Sequence, residues 1–427
     1  MLSVKQAEAI ILDLVQLLNG EQDQEFVDLL SAGNRILATQ ITSKLDFPYW
    51  DNSSMDGYAV RFEDVQSASP ETPVVLEIVA EIPAGTQPQQ TLQPGQAARI
   101  FTGSMMPLGA DTVVIQEQTQ RQGTKVQILA TPEPQANIRY RASFYQAGTP
   151  LLPRGIVLNA PELAILATVQ CTQIPVYRRP IVAILSTGSE LISPDQPLRL
   201  GQVVDSNQYA LATLASQSGA EVRLMGTVGD RPEALKAAIA QAIAQADLVI
   251  SSGGVSVGDY DYVDQTLADL GAEIHVRAVA VKPGKPLTVA TFPGAARLQG
   301  RSVLYFGLPG NPVSALVSFW RFVQPALKKL SGLSQAWGPT FVQARSRQEL
   351  RADGKRETYL WGQLYLVNGS YEFELAGGSH SSGNLMNLAQ TNGLAVLRCD
   401  RSFISRAETV QILQVGPPLT QPQNLST

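Results

Sequence analysis

Apolar residues follow helical spacing in some parts of the chain and form short strand-like runs in others. The chain begins with the helical pattern. In the first twenty residues the apolar positions follow helical spacing, while Glu8 and Asp13 fall on the opposite face. These apolar positions are Val4, Ala7, Ile10, Ile11, Leu14, Leu17 and Leu18. The pattern predicts an amphipathic helix at the start of the chain.

Residues 46–136 consist of short β-branched runs separated by proline and glycine, which predicts a small β domain. The runs are Pro73–Val79, Ala98–Phe101, Asp111–Gln116 and Lys125–Ala130. Thr131–Gln135 has the composition of an exit linker. Beyond it, a proline-led helix is predicted at Pro161–Thr168.

From about Arg179 apolar strands alternate with helices, which is typical of right-handed βαβ units in a parallel sheet. The predicted elements are strand Ile181–Leu185, helix Asn207–Ser218, strand Glu221–Thr227, helix Pro232–Gln245 and strand Asp247–Ile250. Residues 178–330 are therefore predicted to form an α/β domain. Strand-like stretches at Thr358–Val367 and Gly393–Leu397 predict a second β domain over 331–416, followed by a mobile tail, 417–427.

The stretch Ser251–Val263 carries the clearest candidate chemistry, because it places glycines, hydroxyls and carboxylates directly after a strand. Ligands of open α/β sheets bind at the carboxyl ends of the strands. Gly253, Gly254 and Gly258 would let backbone N–H groups approach an anion. Asp259 and Asp261 would hold a magnesium-like ion against it. An ordinary glycine turn after a strand is the alternative.

Other strand ends carry similar groups. Ser186–Leu191 (STGSEL) presents hydroxyls and Glu190 after one strand, and Asp230 follows another in VGDRPEAL. Ser206 and Asn207 precede a helix, where an N-cap is the favoured interpretation. Asp230 is either a helix cap or a cation ligand. Four such strand ends indicate a shared ligand site more strongly than any one of them.

Two further loops suggest anion binding. Lys282–Pro286 (KPGKP) holds two cations on an open turn, for which a solvated basic turn is the alternative. Gly307–Leu316 (GLPGNPVSAL) leads into a helix whose first N–H groups would receive a phosphate, unless it is simply a capped helix entry.

Polar clusters outside the α/β domain are less specific. Asp51–Val60 (DNSSMDGYAV) groups acids and hydroxyls around a glycine, and an Asx turn explains much of it. The alternative interpretation of Thr102, Asp111 and Glu117 is that they are ordinary turn and surface residues. Arg356, Ser381 and Ser382 would form an oxyanion pocket, with His380 beside them as a polar surface residue rather than a base.

Composition removes several functional classes. The 427 residues are 44% hydrophobic and 16% charged with a net charge of −5, which fits a soluble multidomain protein and argues against nucleic-acid or membrane partners. His275 and His380 have no metal-ligand spacing, and Cys171 and Cys399 cannot form a CxxC pair, which argues against zinc or iron and favours magnesium. With no secretory signal or disulfide framework, a cytoplasmic location is expected. Walker A and Rossmann patterns are missing.

In this order, DNSSMDGYAV, STGSEL, SSGGVSVGDYDYV, KPGKP and GLPGNPVSAL resemble the MoeA family of molybdopterin molybdenumtransferases, which includes the catalytic domain of gephyrin. The resemblance runs from about residue 3 to residue 416. Residues 178–330 alone also resemble the MogA/MoaB adenylyltransferases, but those lack the flanking β domains. A MogA-like adenylyltransferase is therefore the weakest alternative.

The resemblance implies that residues 1–45 and 137–177 form an elongated linker and dimerisation domain. It implies a homodimer that inserts molybdenum from molybdate, as co-substrate, into adenylated molybdopterin with Mg²⁺ and releases AMP. A MogA-type adenylyltransferase is a possible partner, and Asp51 would act across the dimer. Such chemistry requires charge neutralisation and orientation rather than a protein nucleophile.

Carried onto this sequence, the family's site falls on four groups of residues. The catalytic group is Asp51, Glu190, Asp230, Asp259, Lys282 and Lys285. The substrate-binding group is Thr187, Gly188, Ser206, Asn207, Gly253, Gly254, Ser256, Asp261, Pro309, Gly310, Asn311, Pro312 and Ser314. Molybdate would contact Lys285, Arg356, Ser381 and Ser382, and the metal ion Glu190, Asp230 and Asp259.

One segment departs from the family pattern. Where many members end an arginine-rich stretch with Gly-Glu-Asp, this chain has Ala142, Ser143 and Phe144 in NIRYRASF. If the family acid acts directly in molybdenum insertion, turnover is weakened, and the chain becomes a pterin-binding carrier or scaffold. If the acid only pairs with arginine, another carboxylate could substitute.

Overall fold

The computed structural model describes residues 1–229, 231–253, 260–294 and 300–420. Five residues named above, Asp230, Gly254, Ser256, Gly258 and Asp259, lie outside these ranges. Asp261 lies on a described helix, but its side chain is outside the description. Among the described residues, no helix has the length and apolar character needed to cross a membrane.

The first 177 residues form a helix, a layer of short strand pairs and a small β sheet. Their elements are α1 (Val4–Leu14), β1 (Gln24–Val27), β2 (Ile41–Thr42), β3 (Asn52–Ser53), β4 (Gly57–Val60), α2 (Phe62–Val65), β5 (Val74–Ile82), β6 (Gln96–Ile100), β7 (Thr112–Ile115), β8 (Thr119–Gln122), β9 (Lys125–Ile128), β10 (Ile138–Arg139), β11 (Pro150–Leu152), α3 (Ala160–Thr168) and β12 (Ile174–Tyr177), with a 3₁₀ turn at Gln116–Gln118. The four strands and the helix predicted between residues 73 and 168 are confirmed.

The small sheet has the order β7-β4-β6-β5-β9-β8. The strand pairs beside it join distant parts of the chain: β1 pairs with β12, β2 with β11 and β3 with β10. A layer built from residues before and after the small sheet therefore supports it. The exact domain boundaries stay a prediction.

The central region contains the α/β alternation that the sequence predicts. Its elements are β13 (Ile181–Thr187), β14 (Leu191–Ile192), β15 (Val203–Val204), α4 (Asn207–Gln217), β16 (Glu221–Val228), α5 (Pro232–Gln245), β17 (Leu248–Ser252), α6 (Tyr260–Asp269), β18 (Glu273–Ala278), β19 (Val281–Lys282), β20 (Pro286–Phe292), β21 (Val303–Leu308), α7 (Pro312–Ser318) and α8 (Gln324–Leu330), with a π-helical turn at Phe319–Val323 between α7 and α8.

The central sheet has the order β16-β13-β17-β21-β20-β18, and the pairs among β16, β13, β17 and β21 are parallel. Helices α4, α7 and α8 pack on one face and helices α5 and α6 on the other. After β13 the chain continues to α4 on the first face, and after β17 it continues to α6 on the second face. The loops after these adjacent strands diverge, which is the topology that opens a ligand crevice.

The C-terminal region is a small β barrel. Its elements are β22 (Phe341–Ser346), β23 (Leu350–Arg351), β24 (Glu357–Val367), β25 (Ser370–Leu375), β26 (Gly393–Leu397), β27 (Phe403–Ile404), β28 (Thr409–Gln414) and β29 (Leu419–Thr420), with a 3₁₀ turn at Met386–Leu388. Strands β24, β25, β22, β28 and β26 pair in that order, and β26 closes the ring on β24. Closure leaves few unpaired strand edges.

The predicted tail needs a correction. Leu419–Thr420 form a strand that pairs in parallel with Tyr365 and Leu366 of β24. The prediction missed this because a two-residue strand gains its hydrogen bonds from a distant partner rather than from a local pattern. The rest of the tail, 421–427, lies outside the described residues.

Helix α1 packs on the α/β domain. Ser3 caps it through a reciprocal pair of hydrogen bonds with Gln6. The helix ends at Leu14, before the last apolar positions of the predicted pattern, and Val4, Ala7 and Ile11 enter the same core as α7 and α8.

A buried arginine joins α1, the central domain and the barrel. Arg321, 5% exposed, donates two hydrogen bonds of 2.8 Å to the Glu8 carboxylate and one of 2.9 Å to the Tyr359 hydroxyl. Tyr359 in turn donates to Glu357 at 2.6 Å. Burial alone would lower the pKa of Arg321, but Glu8 and Tyr359 outweigh it and raise the pKa. The guanidinium therefore stays charged and holds three parts of the molecule together.

We predict that Glu8→Ala lowers the free energy of unfolding by roughly 2–4 kcal/mol, because it leaves a buried guanidinium without its carboxylate. Asp13→Ala on the exposed side of α1 is the control and should change stability by less than about 0.5 kcal/mol. Urea denaturation followed by circular dichroism measures both. Equal stability of the two variants would contradict the role given to Arg321.

Candidate functional site

Three strand-end loops of the central sheet pack against one another backbone to backbone. Gly253, after β17, has φ of 97°, and a Cβ there would lie 2.2 Å from the Thr187 carbonyl oxygen at the end of β13. Its N–H donates to the Leu308 carbonyl of β21 at 3.2 Å. A Cβ on Gly310 would lie 3.4 Å from the Gly253 Cα. Only glycine allows this approach at Gly253.

Asn207 ties the same loops together with its side chain. This residue is 7% exposed, and its Nδ2 donates to Ser252 Oγ at 2.6 Å and to the Gly310 carbonyl at 2.8 Å. Among the described residues, its Oδ1 is a buried acceptor without a donor. We define the strand-end rim as residues 188–190 after β13, Gly253 after β17, residues 309–311 after β21 and the start of α4.

The favoured N-cap interpretation of Ser206 and Asn207 is wrong in detail. Neither side chain caps α4; instead Asp205 Oδ1 accepts from the Gln208 N–H at 3.3 Å, and Asp205 Oδ2 accepts from Thr227 Oγ1 at 3.5 Å. Asp205 lies beside the rim and is only 2% exposed. Sequence analysis left Asp205 out of the site, although an acid directly before a helix was the available signal.

The hydroxyls that end β17 have structural partners. Ser251 Oγ lies 2.5 Å from the hydroxyl of buried Tyr305, and burial raises the pKa of Tyr305 to about 12. Ser252 Oγ accepts from Asn207. These two serines therefore support the strand ends rather than face a ligand.

Glu190 is the described carboxylate most open to a cation at the rim. It is exposed, and both of its oxygens would lie 2.8 Å from a Cβ on Gly188, so the acid lies over the turn that follows β13. The Gly188 N–H donates to the Val228 carbonyl at 3.0 Å, which brings the β16 end beside it. Among the described residues, no cluster of three His, Cys, Asp or Glu side chains forms a metal site. Two of its predicted companions, Asp230 and Asp259, lie outside the described residues.

The loop after β21 joins the rim to the barrel. Pro309, Gly310 and Asn311 lead into α7, where Pro312 is in the first turn and Ser314 is buried. The Val313 N–H donates to the Ser382 carbonyl at 3.2 Å, so this helix-start donor is occupied. Phosphate binding at the start of α7 stays a prediction for the other N–H groups of this turn. The same contact brings Ser381 and Ser382 to α7, as an oxyanion pocket would require.

KPGKP is held between α7 and the barrel. A Cβ on Gly284 would lie 2.8 Å from Ser318 Oγ of α7. On the other side β19 pairs with β24, and Arg356 donates to the Val281 carbonyl at 3.2 Å. The loop therefore connects the central domain with the barrel.

The two lysines of this loop differ in their partners. Lys282 Nζ lies 2.9 Å from Asp353 Oδ2, whereas no described residue pairs with exposed Lys285. Hydrogen bonds from Lys282 and from the Lys355 N–H hold the pKa of Asp353 below its usual value. The Lys282–Asp353 pair is therefore present above that lowered pKa and is lost as the pH falls through it. Sequence analysis missed Asp353, since nothing local marks a partner 71 residues away.

His380 packs on the barrel. Its ring centroid lies 4.5 Å from that of Trp361, and its Nε2 lies 2.8 Å from the Ala376 carbonyl oxygen. This half-buried position differs from the surface residue expected, and it does not place the imidazole as a base at the rim.

Asp51 is not brought to the rim within one chain. Its Oδ1 accepts from the Arg141 N–H at 2.7 Å, and β3, which follows it, pairs with β10. Asp56 of the same motif accepts from the N–H and the hydroxyl of Thr102, which hold its pKa below the usual value. Asp111 accepts from the Phe62 N–H. DNSSMDGYAV is thus organised by structural hydrogen bonds beside the NIRYRASF segment.

In NIRYRASF a carboxylate other than the family acid pairs with arginine. Arg141 Nε donates to Asp46 Oδ2 at 2.6 Å. A hydrogen bond from the Ala147 N–H, together with Arg141, holds the pKa of Asp46 below its usual value. The Phe144 side chain is exposed and its ring centroid lies 5.8 Å from that of Phe47. Ala142 has φ of 61°, a conformation that favours the glycine of the family pattern.

Three family models match consecutive parts of the chain. They are the MoeA N-terminal region (domain I and II) at residues 2–169, the probable molybdopterin binding domain at 183–329 and the MoeA C-terminal region (domain IV) at 343–415. Together they cover most of the sequence.

Individual proteins match over nearly the full length. The chain is 62% identical over 413 residues to a molybdopterin molybdenumtransferase of Nostoc sp., covering 97% of this chain and 94% of that protein. It is 34% identical to one from Haemophilus influenzae over 91% and 93% of the two chains. The crystal structure of the molybdopterin biosynthesis MoeA protein from Pyrococcus horikosii has a TM-score of 0.81 at 28% identity and covers 98% of this chain and 100% of that one.

We predict that Asn207→Ala lowers the free energy of unfolding by about 1–3 kcal/mol, because it leaves the Gly310 carbonyl and the Ser252 hydroxyl without their donor. Thr213→Ala, on the exposed part of α4, is the control and should be near neutral. Urea denaturation provides the comparison. An Asn207→Ala variant as stable as the control would show that this side chain does not hold the rim together.

Proposed function

The chain belongs to the MoeA family, and from that premise we propose that it acts as a molybdopterin molybdenumtransferase. Its substrates are adenylated molybdopterin and molybdate. Water cleaves the phosphoanhydride bond and AMP leaves. The two dithiolene sulfurs of the pterin then replace one oxide of molybdate, which leaves as water with the two thiol protons, to give molybdenum cofactor. The observation that carries this proposal is the joining of three strand-end loops by Gly253 and Asn207 into one rim.

The rim suits an anionic, nucleotide-linked substrate. Gly253 and Gly310 let the strand-end backbones lie close together, Gly188 lies under the Glu190 carboxylate, and Thr187 and Ser206 stand beside them. Lys285 has no described partner and provides the most available positive charge, while Lys282 must leave Asp353 or share it. Arg356, Ser381 and Ser382 lie on the barrel side of KPGKP and α7, and we assign molybdate to that side.

Glu190 fits a magnesium ligand, because its exposed carboxylate lies at a strand end with no described cation beside it. We propose that Asp230 and Asp259 complete the ligand set. When bound, the ion would neutralise phosphate charge during cleavage. The chain's own contribution is to hold the phosphates and orient the attacking water.

We expect Glu190→Gln to lower the rate of AMP release on the order of 100-fold, because the amide removes the charge that holds the ion. Isothermal titration with Mg²⁺ should show weaker binding in the same variant. Glu233→Gln, at an exposed position of α5, is the matched control for both measurements.

Chelation of divalent ions should stop AMP release, and added Mg²⁺ should restore it. Wild-type Mg²⁺ affinity in Glu190→Gln would contradict the ligand assignment. Undiminished AMP release after chelation would contradict the requirement for the ion.

We propose a homodimer in the cytoplasm in which Asp51 of one subunit faces the rim of the other. The support is the family resemblance together with the position of Asp51, which makes no described contact with the rim of its own chain. A MogA-type adenylyltransferase would supply the adenylated substrate.

Phe144 favours a second candidate function, a pterin carrier or scaffold that binds without cleavage. An exposed aromatic ring stands where many family members have an acid. The Arg141–Asp46 pair argues for the first candidate, since a carboxylate already neutralises this arginine.

We predict that wild-type protein releases AMP from adenylated molybdopterin, and that Phe144→Asp changes the rate by no more than a factor of about three. Tyr49→Asp, at another exposed aromatic of the same surface, controls for the added charge. AMP release by Phe144→Asp alone, with none from wild type, would identify the natural chain as a carrier.

A further inference from the structure

A cavity of about 670 Å³ lies on the side of the central domain away from the rim. Arg179 and Pro180, which precede β13, and Gly219, which precedes β16, line it. It is therefore at the amino ends of these strands, whereas the rim is at their carboxyl ends. Seven-residue β13 separates the two by about 20 Å at 3.3 Å per residue. The volume is within the usual range for small-molecule sites.

The cavity is formed by two parts of the molecule. Ile36 and Ile156 come from the layer of short strand pairs, while Ser216, Lys328 and Ser331 come from helices α4 and α8 and the turn after α8. A ligand there would contact both parts. Its binding would stabilise their relative position, because any ligand that binds only the folded arrangement favours it.

The charged side chains that line the cavity are all positive. None of the described residues that line the cavity is Asp or Glu. Its lining includes four cationic side chains, those of Arg35, Arg178, Arg179 and Lys328. Arg178 pairs with Asp23 and Asp247, and Arg35 pairs with Glu25. Arg179 and Lys328 have no described carboxylate partner; Arg179 is exposed to solvent, whereas Lys328 is partly buried.

Lys328 is the more informative of these two cations. It is partly buried, and desolvation lowers the pKa of its ammonium group. A buried cation costs free energy unless an anion accompanies it. The neighbouring walls include apolar Ile36, Ile156 and the ring of Tyr177, which suit the body of an organic molecule rather than a bare inorganic ion.

We propose that this cavity binds a small organic anion with an apolar body, whose acidic group pairs with Lys328 and Arg179. The site is separate from the strand-end rim and goes beyond the transferase activity. Because the ligand would touch both the strand-pair layer and the central domain, it would act as an effector of their arrangement.

The full chain would be titrated with 8-anilinonaphthalene-1-sulfonate and with its uncharged analogue N-phenyl-1-naphthylamine, using calorimetry. The wild type should bind the sulfonate at one site. Lys328→Met should weaken that binding about tenfold, since it removes one charge-assisted contact, and should leave the uncharged analogue unaffected. Lys236→Met, on the opposite face of the sheet, is the matched control and should bind as wild type does.

Ser216→Trp provides an independent test, because a large side chain at this exposed helix position would fill the cavity without disturbing the core. It should abolish binding of both probes. Sulfonate affinity unchanged in Lys328→Met and Ser216→Trp would overturn the proposal, and so would an equal loss of both probes in Lys328→Met. AMP release plays no part in this test, so its failure and the failure of the proposed function are distinguishable.

Discussion

The structure depends on how closely three strand-end loops of the central sheet approach each other. A side chain at Gly253 would place its Cβ 2.2 Å from the Thr187 carbonyl oxygen. Because this clash is with a backbone atom, a change of side-chain rotamer does not relieve it. Asn207 then satisfies groups from two of the loops with one amide. Because α4 begins at this residue, the helix and the loops are positioned together. The described ends of β13, β17 and β21 are thereby held together at this edge of the sheet, where the topology of the connections favours ligand binding.

The barrel completes this arrangement rather than standing apart from it. It reaches the rim through the Val313–Ser382 hydrogen bond, through the pairing of β19 with β24 and through Lys282 and Asp353. Arg321 anchors the same barrel to α1 on the far side of α7 and α8. KPGKP, the loop that we propose contacts the anionic substrate, is thus held by α7 on one side and by the barrel on the other. Its two lysines are not equivalent, because only Lys282 already has a carboxylate partner.

Sequence reasoning was strongest where a pattern is local. Apolar periodicity located α1, α5 and the parallel strands within a few residues. Burial of one helix face gives the apolar residues a helical spacing, and burial of both faces of a strand gives a short apolar run. It placed Glu190 and KPGKP in loops and Asn207 at a helix start, but their partners come from distant segments. Asp353, Asp205 and the β29 pairing were missed because long-range contacts leave no short-range signal. Propensity alone favours an N-cap at Ser206 or Asn207, whereas in the structure the Asp205 carboxylate accepts the hydrogen bond from the first turn of α4.

The central claim is that the strand-end rim binds the nucleotide part of the substrate. A crystal structure of the full chain with AMP and Mg²⁺ tests it most directly. We expect the AMP phosphate at the strand-end rim, on the side of Lys285, with the metal ion on Glu190. AMP bound at another surface, with the rim filled only by solvent, would contradict it.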